Sequence, residues 1–166
     1  MINKLASKFQ ELKIYLKYGA KVKVLGMVDI QATHIIWGRN VKLYSGVQIS
    51  GNGKIILGDN VAIGKDTIIF SGESVTIEAN TLIAAQCYII DSDHGISRDR
   101  RIQEQKMINK PIVIEEDCWL GAGVKVLKGS TIKEGSVVGA GCIVNGATEP
   151  YSINVGVPFR KIGERK

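Results

Sequence analysis

From residue 37 onward a bulky apolar residue returns at intervals of six: Trp37, Leu43 and Ile49, then Leu57, Ile63 and Ile69, Ile77, Ile83 and Ile89, Ile114, Leu120 and Val126, and Ile132, Val138 and Val144. Four positions after each stands a small or narrow residue such as Val41, Val61, Cys87, Cys118, Ser136 or Thr148, with Glu73 and Asp93 the exceptions. A two-faced strand would alternate with period two over a longer run. A large aliphatic followed by a small residue, repeated every six, instead predicts short flat sides and tight corners, with three hexads closing one coil of 18 residues. The fold class read from this pattern is all-β, a parallel β-helix of hexapeptide repeats. We expect the coil to occupy residues 21–149, a helical cap residues 1–20 and a tail residues 150–166.

The interruptions of the period are as informative as the period. The spacing is eight from Ile49 to Leu57 and from Ile69 to Ile77, and twenty-five from Ile89 to Ile114. Each interruption follows a third hexad, so all three insertions should leave the prism at one corner. The longest, at residues 95–111, is highly charged, and a loop of that length is usually functional. Stacking equivalent hexad positions places His94 in one column with Trp119 and Asp91 in one with Glu116. That register would gather a histidine, an indole, two carboxylates and the loop around one point.

Before the repeats, residues 3–18 read as an amphipathic helix with Leu5, Phe9, Leu12 and Leu16 on one face and Lys4, Lys8, Lys13 and Lys17 on both sides of it. Two roles fit this pattern. The helix can cap the open end of the coil and block strand addition there, or residues 1–18 can make peripheral contact with an anionic membrane through snorkelling lysines.

Charge and composition narrow the picture without deciding it. Twenty-two Lys and Arg against sixteen Asp and Glu leave a net charge of +6, suited to phosphate-bearing ligands or anionic lipid. The basic residues are dispersed without an aromatic stacking platform, which argues against nucleic acid. No apolar run reaches the length of a membrane span and no secretory leader is apparent, so the expected location is cytoplasmic, at most at the inner face of the membrane. Cys87, Cys118 and Cys142 all fall at inward, small-residue positions, and none of them forms a Cys-x-x-Cys pair for zinc. Three core thiols suit a reducing compartment.

Several local sequences carry a family resemblance: Leu57-Gly58-Asp59-Asn60-Val61, Leu120-Gly121-Ala122-Gly123-Val124, Asp93-His94-Gly95, Asp117-Cys118-Trp119-Leu120-Gly121 and Gly156-Val157-Pro158-Phe159-Arg160. Together they resemble the bacterial hexapeptide-repeat acyltransferases, and among these the chain is most similar to sugar and polysaccharide O-acetyltransferases. The resemblance implies a left-handed coil, a homotrimer, and acetyl-CoA as co-substrate in the groove between subunits, with a sugar or glycan hydroxyl as acceptor and no metal. It also implies that His94 is the general base. A histidine suits that task because its unperturbed pKa lies near operating pH, and Asp91 or Asp93 would orient its ring.

The same resemblance favours Gly121, Ala122, Gly139 and Ala140 as contacts for a thin pantetheine arm, with Asn145 nearby and Arg160 and Lys161 near the CoA phosphates. The alternative for the small residues is that tight corners simply require them. The chain departs from the family pattern at two places: Ala84-Ala85-Gln86 stands where relatives carry an asparagine, and Gly146 where many carry a basic residue. Competing functions on the same coil are N-acetylation of a nucleotide-linked amino sugar and a non-catalytic scaffold. A zinc carbonic anhydrase would need three histidines, and the chain has His34 and His94 only.

Overall fold

The computed structural model describes residues 2–165. The chain winds around a three-sided prism whose faces are parallel sheets. The first face stacks Lys23–Leu25, Lys42–Tyr44, Ala62–Ile63, Leu82–Ile83, Trp119–Leu120, Val137–Val138 and Ser152–Val155. The second runs from Asp29–Ile30 to Ile143–Val144, and the third from Ile35–Trp37 to Thr131–Ile132. In register, Ile83 lies between Ile63 and Leu120 on the first face, Ile89 between Ile69 and Val126 on the second, and Ile77 beside Ile114 on the third. These side chains are fully buried and fill the prism as one continuous column of aliphatics.

The corner geometry explains the rest of the hexad. At uninterrupted corners its fourth residue adopts the left-handed region, as at Asn40, Asn60, Asn80 and Asp117, or is glycine, as at Gly135. Asn and Asp tolerate that conformation because their short polar groups hydrogen-bond locally. Asn40 and Asn60 each donate a side-chain hydrogen bond to the next asparagine up the column, at 3.1 and 2.9 Å. The small residue at position five then turns inward under the corner.

The coil starts before the period that opens at residue 37, within the expected 21–149 span, and at its other end runs past residue 149. Its first turn begins at Lys23, with Val24 beside Leu43 and Ile30 beside Ile49. Past residue 149, Ser152–Val155 adds to the first face in parallel, and Arg160–Glu164 folds back on it antiparallel. The helix α1, Ile2–Tyr18, lies over the opening of the first turn. It meets the coil through a different side from the apolar stripe seen in the sequence. Among its described side chains Ile14 is the buried one, and Ser7 and Glu11 accept hydrogen bonds from the Gly26 and Val24 amides of the edge strand, at 3.0 and 3.1 Å. An edge strand with unpaired N–H groups needs acceptors more than it needs further apolar cover.

Candidate functional site

All insertions leave at the corner between the second and third faces. Gly51 and Asn52, Ser71 and Gly72, and the excursion after Ile90 each connect a second-face strand to a third-face strand. The long excursion is not a structureless loop. Ser92–His94 pairs antiparallel with Met107–Asn109, His94 standing opposite Met107, and a short 3-10 turn at Ile102–Glu104 closes the tip. The Gln105 side chain clamps the tip: its Oε1 accepts from the Ser97 amide at 2.8 Å, and its Nε2 donates to the carbonyls of Ser97 and Arg100. At the base, the Lys110 amide donates to the Asp91 carbonyl at 2.9 Å, so entry and exit are tied together.

Asp91 anchors this hairpin. It is fully buried, and its carboxylate accepts from the Gly72 amide at 2.6 Å, the Glu73 amide at 2.8 Å, Ser92 Oγ at 2.8 Å and Ser71 Oγ at 3.1 Å. A buried carboxylate persists only when hydrogen bonds replace its lost hydration, and four donors do so here. His94, three residues on, is exposed at the end of the strand that Asp91 fixes. Asp93 forms an ion pair with Lys128 at 3.0 Å. Both carboxylates expected to orient the imidazole are thus engaged elsewhere.

Two column assignments from the sequence are corrected. His94 does not stack on Trp119: it leaves the coil in the hairpin, whereas Trp119 stands on the first face between Leu82 and Val137, 53% exposed. Asp91 does not stack on Glu116, which belongs to the corner between the third and first faces. The physical reason is the order of faces. Ile89 closes its turn on the second face beside Val126, and Ile114 opens the next turn on the third face. Counting from Ile89 to Val126 puts Ser71, Asp91 and Lys128 at one hexad position, which is where the Asp91 anchor and the Lys128 partner of Asp93 are found. Lys128 was therefore readable from the repeat, while Gln105 has no periodic signal.

The corner between the first and second faces has no insertion between Leu43 and Val144. Here Gly121 is buried and Ala122 exposed, and one turn on stand Gly139 and an exposed Ala140. A Cβ on Gly121 would lie 2.6 Å from the Ala140 amide nitrogen, and one on Gly139 2.9 Å from a Val155 methyl. Close stacking of turns thus requires glycine at 121, where the neighbour is backbone, while at 139 the neighbour is a side chain that can shift. It does not require alanine at 122 and 140, which face outward. The result is a ridge bearing nothing larger than a methyl, flanked by Trp119 and Val137 on the first face, with Lys125 beginning the second. A thin, extended ligand fits such a surface.

Asn145 is not next to that ridge. Val126 lies beside Val144, so Asn145 follows at the far end of the second face. Lys161 pairs with Glu149 at 2.6 Å and Glu164 at 2.7 Å, and those hydrogen bonds raise its pKa. Arg160 begins the returning strand opposite Val155 and is exposed. The three cysteines are buried free thiols, and loss of hydration pushes Cys118 up to about 11 and raises Cys87 and Cys142 as well. Such thiols are poor nucleophiles near neutrality. Among the described residues no group of three His, Cys, Asp or Glu is placed to hold a metal ion.

Comparison with known proteins bears on this arrangement. The family model described as bacterial transferase hexapeptide (six repeats) matches residues 111–146, and the hexapeptide repeat of succinyl-transferase matches residues 54–91. The chain is 35% identical over 142 residues to the putative lipopolysaccharide biosynthesis O-acetyl transferase WbbJ of Escherichia coli (strain K12), covering 77% of this chain and 70% of that protein. It is 37% identical over 115 residues to the probable acetyltransferase Rv3034c of Mycobacterium tuberculosis. That match covers 69% of this chain but spans only 38% of the relative's length. Among solved structures, the hexapeptide-repeat containing acetyltransferase VCA0836 of Vibrio cholerae O1 biovar eltor, complexed with acetyl coenzyme A, superposes with a TM-score of 0.67. The identity is 25%, with 99% of this chain and 81% of that chain covered.

Proposed function

The chain belongs to the bacterial hexapeptide-repeat transferase family, and from that premise we propose that it moves an acetyl group from acetyl-CoA to a hydroxyl of a sugar or surface-polysaccharide precursor, with His94 as general base. The observation that carries this reading is the exposed imidazole at the end of a strand whose base is locked by four hydrogen bonds to Asp91. An unburied histidine at the end of a pinned strand has no packing role, and an imidazole can take up a proton and give it up in turn.

Acetyl-CoA supplies the acyl group already activated as a thioester. His94 takes the acceptor hydroxyl proton as the oxygen forms its bond to the acyl carbon. The proton then passes to the sulfur as the carbon–sulfur bond breaks, giving a sugar ester and a free thiol. Ala122 and Ala140 offer the methyl-faced ridge for the pantetheine arm, and Arg160 is the basic residue available for a phosphate.

Within one chain the ridge and the insertion corner are separated by the width of the second face, roughly 15 Å at about 3.3 Å per residue. A thioester lying on the ridge is therefore out of reach of the same chain's His94. This separation supports a homotrimer in which one subunit's ridge faces another's hairpin. O-acetylation is preferred over N-acetylation because WbbJ is named an O-acetyl transferase at 35% identity. Three buried reduced thiols suit a cytoplasmic setting.

Thiol release from acetyl-CoA, followed across a panel of sugars, amino sugars, nucleotide sugars and glycans, tests the proposal. Turnover with a hydroxyl acceptor is the expected result. Inactivity with acetyl-CoA alongside turnover of a longer acyl-CoA would overturn the donor, and exclusive use of amino acceptors would overturn the ester product.

A further inference from the structure

We propose that α1 is a docking surface for an anionic phospholipid bilayer, independently of the transfer reaction. Leu5, Phe9, Leu12 and Leu16 are 77%, 57%, 52% and 75% exposed and form one stripe. At about 100° per residue this stripe lies roughly opposite the docking side made by Ser7, Glu11, Ile14 and Tyr18. The helix cannot roll over to bury it. Rolling would withdraw the Glu11 and Ser7 acceptors from the Val24 and Gly26 amides, break the Tyr18 hydroxyl bond to the Ala32 carbonyl and separate Tyr18 from Trp37, whose rings meet edge-on at 5.9 Å. The stripe is held outward by the capping of the coil.

Charge selects the occupant. Lys4 and Lys8 border the stripe on one side and Lys13 and Lys17 on the other; Glu11, the helix's acidic residue, shares its carboxylate between the Val24 amide and Lys8 at 2.7 Å, and Lys17 reaches the Ala32 carbonyl at 3.3 Å, which leaves Lys4 and Lys13 as the lysines turned to the stripe. Lys13 Nζ lies 4.7 Å from the centre of the Phe9 ring, its stem laid along the apolar surface. Apolar side chains framed by lysines match an acyl boundary beneath anionic headgroups. A second copy of the helix would bring like charges into opposition on both flanks. No helix among the described residues is long and apolar enough to cross a membrane, so the contact is at the surface.

The test is sedimentation of the full chain with phosphatidylcholine vesicles and with equal mixtures of phosphatidylcholine and phosphatidylglycerol. Binding to the mixed vesicles alone, reversed by added salt, is expected. Lys4→Glu with Lys13→Glu should lower the apparent affinity about tenfold or more, since each lysine near such a surface contributes several-fold. Phe9→Glu with Leu16→Glu should abolish binding. Both variants change exposed positions, and circular dichroism checks that each remains folded. Failure of the parent to bind mixed vesicles, or unchanged binding by the charge-reversed chain, overturns the proposal. A parent that ignores vesicles but loses an oligomer on Phe9→Glu with Leu16→Glu would assign the stripe to a second copy instead.

Discussion

The corner between the first and second faces and the corner between the second and third faces are built from the same hexad and carry opposite burdens. At the former, turn lies on turn so closely that a single added methyl at Gly121 would meet the backbone of the next turn. At the latter, every extra residue in the coil is accommodated, ending in a hairpin tied at its base by Asp91. In its last two turns, at Gly121–Gly123 and Gly139–Gly141, the first of these corners carries nothing larger than a methyl, whereas the second admits whole segments. The contrast shows how a repeat divides labour: a bare ridge can receive a ligand along its length, and an interrupted corner can hold chemistry at a fixed point. On the proposed reading the two must be brought together by assembly of more than one chain.

The sharpest way to break the contrast is His94→Ala. Loss of a general base typically costs 10²–10⁴-fold in rate, so kcat should fall by about a thousandfold while the melting temperature stays put. Near wild-type turnover by a folded variant would remove the chemistry from the open corner altogether. Asp91→Ala comes next. It leaves two backbone amides and the Ser92 hydroxyl without their acceptor and Ser71 with only its longer bond to the Lys54 carbonyl, and losing charge-assisted bonds at a buried site should cost about 3 kcal/mol in unfolding free energy. Because Asp91 positions the hairpin and touches no reacting atom, turnover should drop with KM for the donor little changed. Asp91→Asn keeps an oxygen acceptor and should recover part of both losses.

Gly121→Val tests the closed corner. Forcing a branched side chain against the Ala140 amide should destabilise by about 2 kcal/mol, the usual range for overpacking. Ala122→Val, on the outward position beside it, should leave the melting temperature nearly unchanged and raise KM for the donor. If both substitutions merely destabilise, the ridge is a packing device and the ligand reading of Ala122 and Ala140 fails.

The sequence made the closed corner legible and the open one only partly so. Stacking is enforced by backbone spacing, so the columns through Gly121, Ala122, Gly139 and Ala140 follow from counting. The common corner of the three insertions follows as well. The association of His94 with Trp119 did not survive, because a twenty-five-residue gap hides which face the chain re-enters. The hairpin and its Gln105 clamp obey no period, being held by side-chain-to-backbone bonds that leave no trace at the spacing of six. The helix shows the same limit. Its stripe was evident, but which side meets the coil depended on the edge amides of Val24 and Gly26, whose need for acceptors is invisible in a hydrophobic pattern.

The third corner, between the third and first faces, supplies the control and the smallest expected effect. There Glu115 bonds Lys133 Nζ at 2.8 Å and the Glu134 amide at 2.9 Å, without a large insertion or a bare ridge. The Lys133 hydrogen bond, aided by the Glu134 amide and opposed in part by burial, lowers the Glu115 pKa below its ordinary 4.5. A carboxyl lowered in the folded state binds protons less readily there than in the unfolded chain. Its contribution is therefore complete above pH 4.5 and fades as pH falls through the lowered value. Glu115→Gln should slightly lower the melting temperature at pH 7, with the gap closing on acidification and turnover unaffected. A gap that persists unchanged at acid pH would mean the carboxylate's charge is irrelevant. A loss of turnover would mean that this corner, too, belongs to the site, and the division of labour between bare ridge and open corner would have to be redrawn.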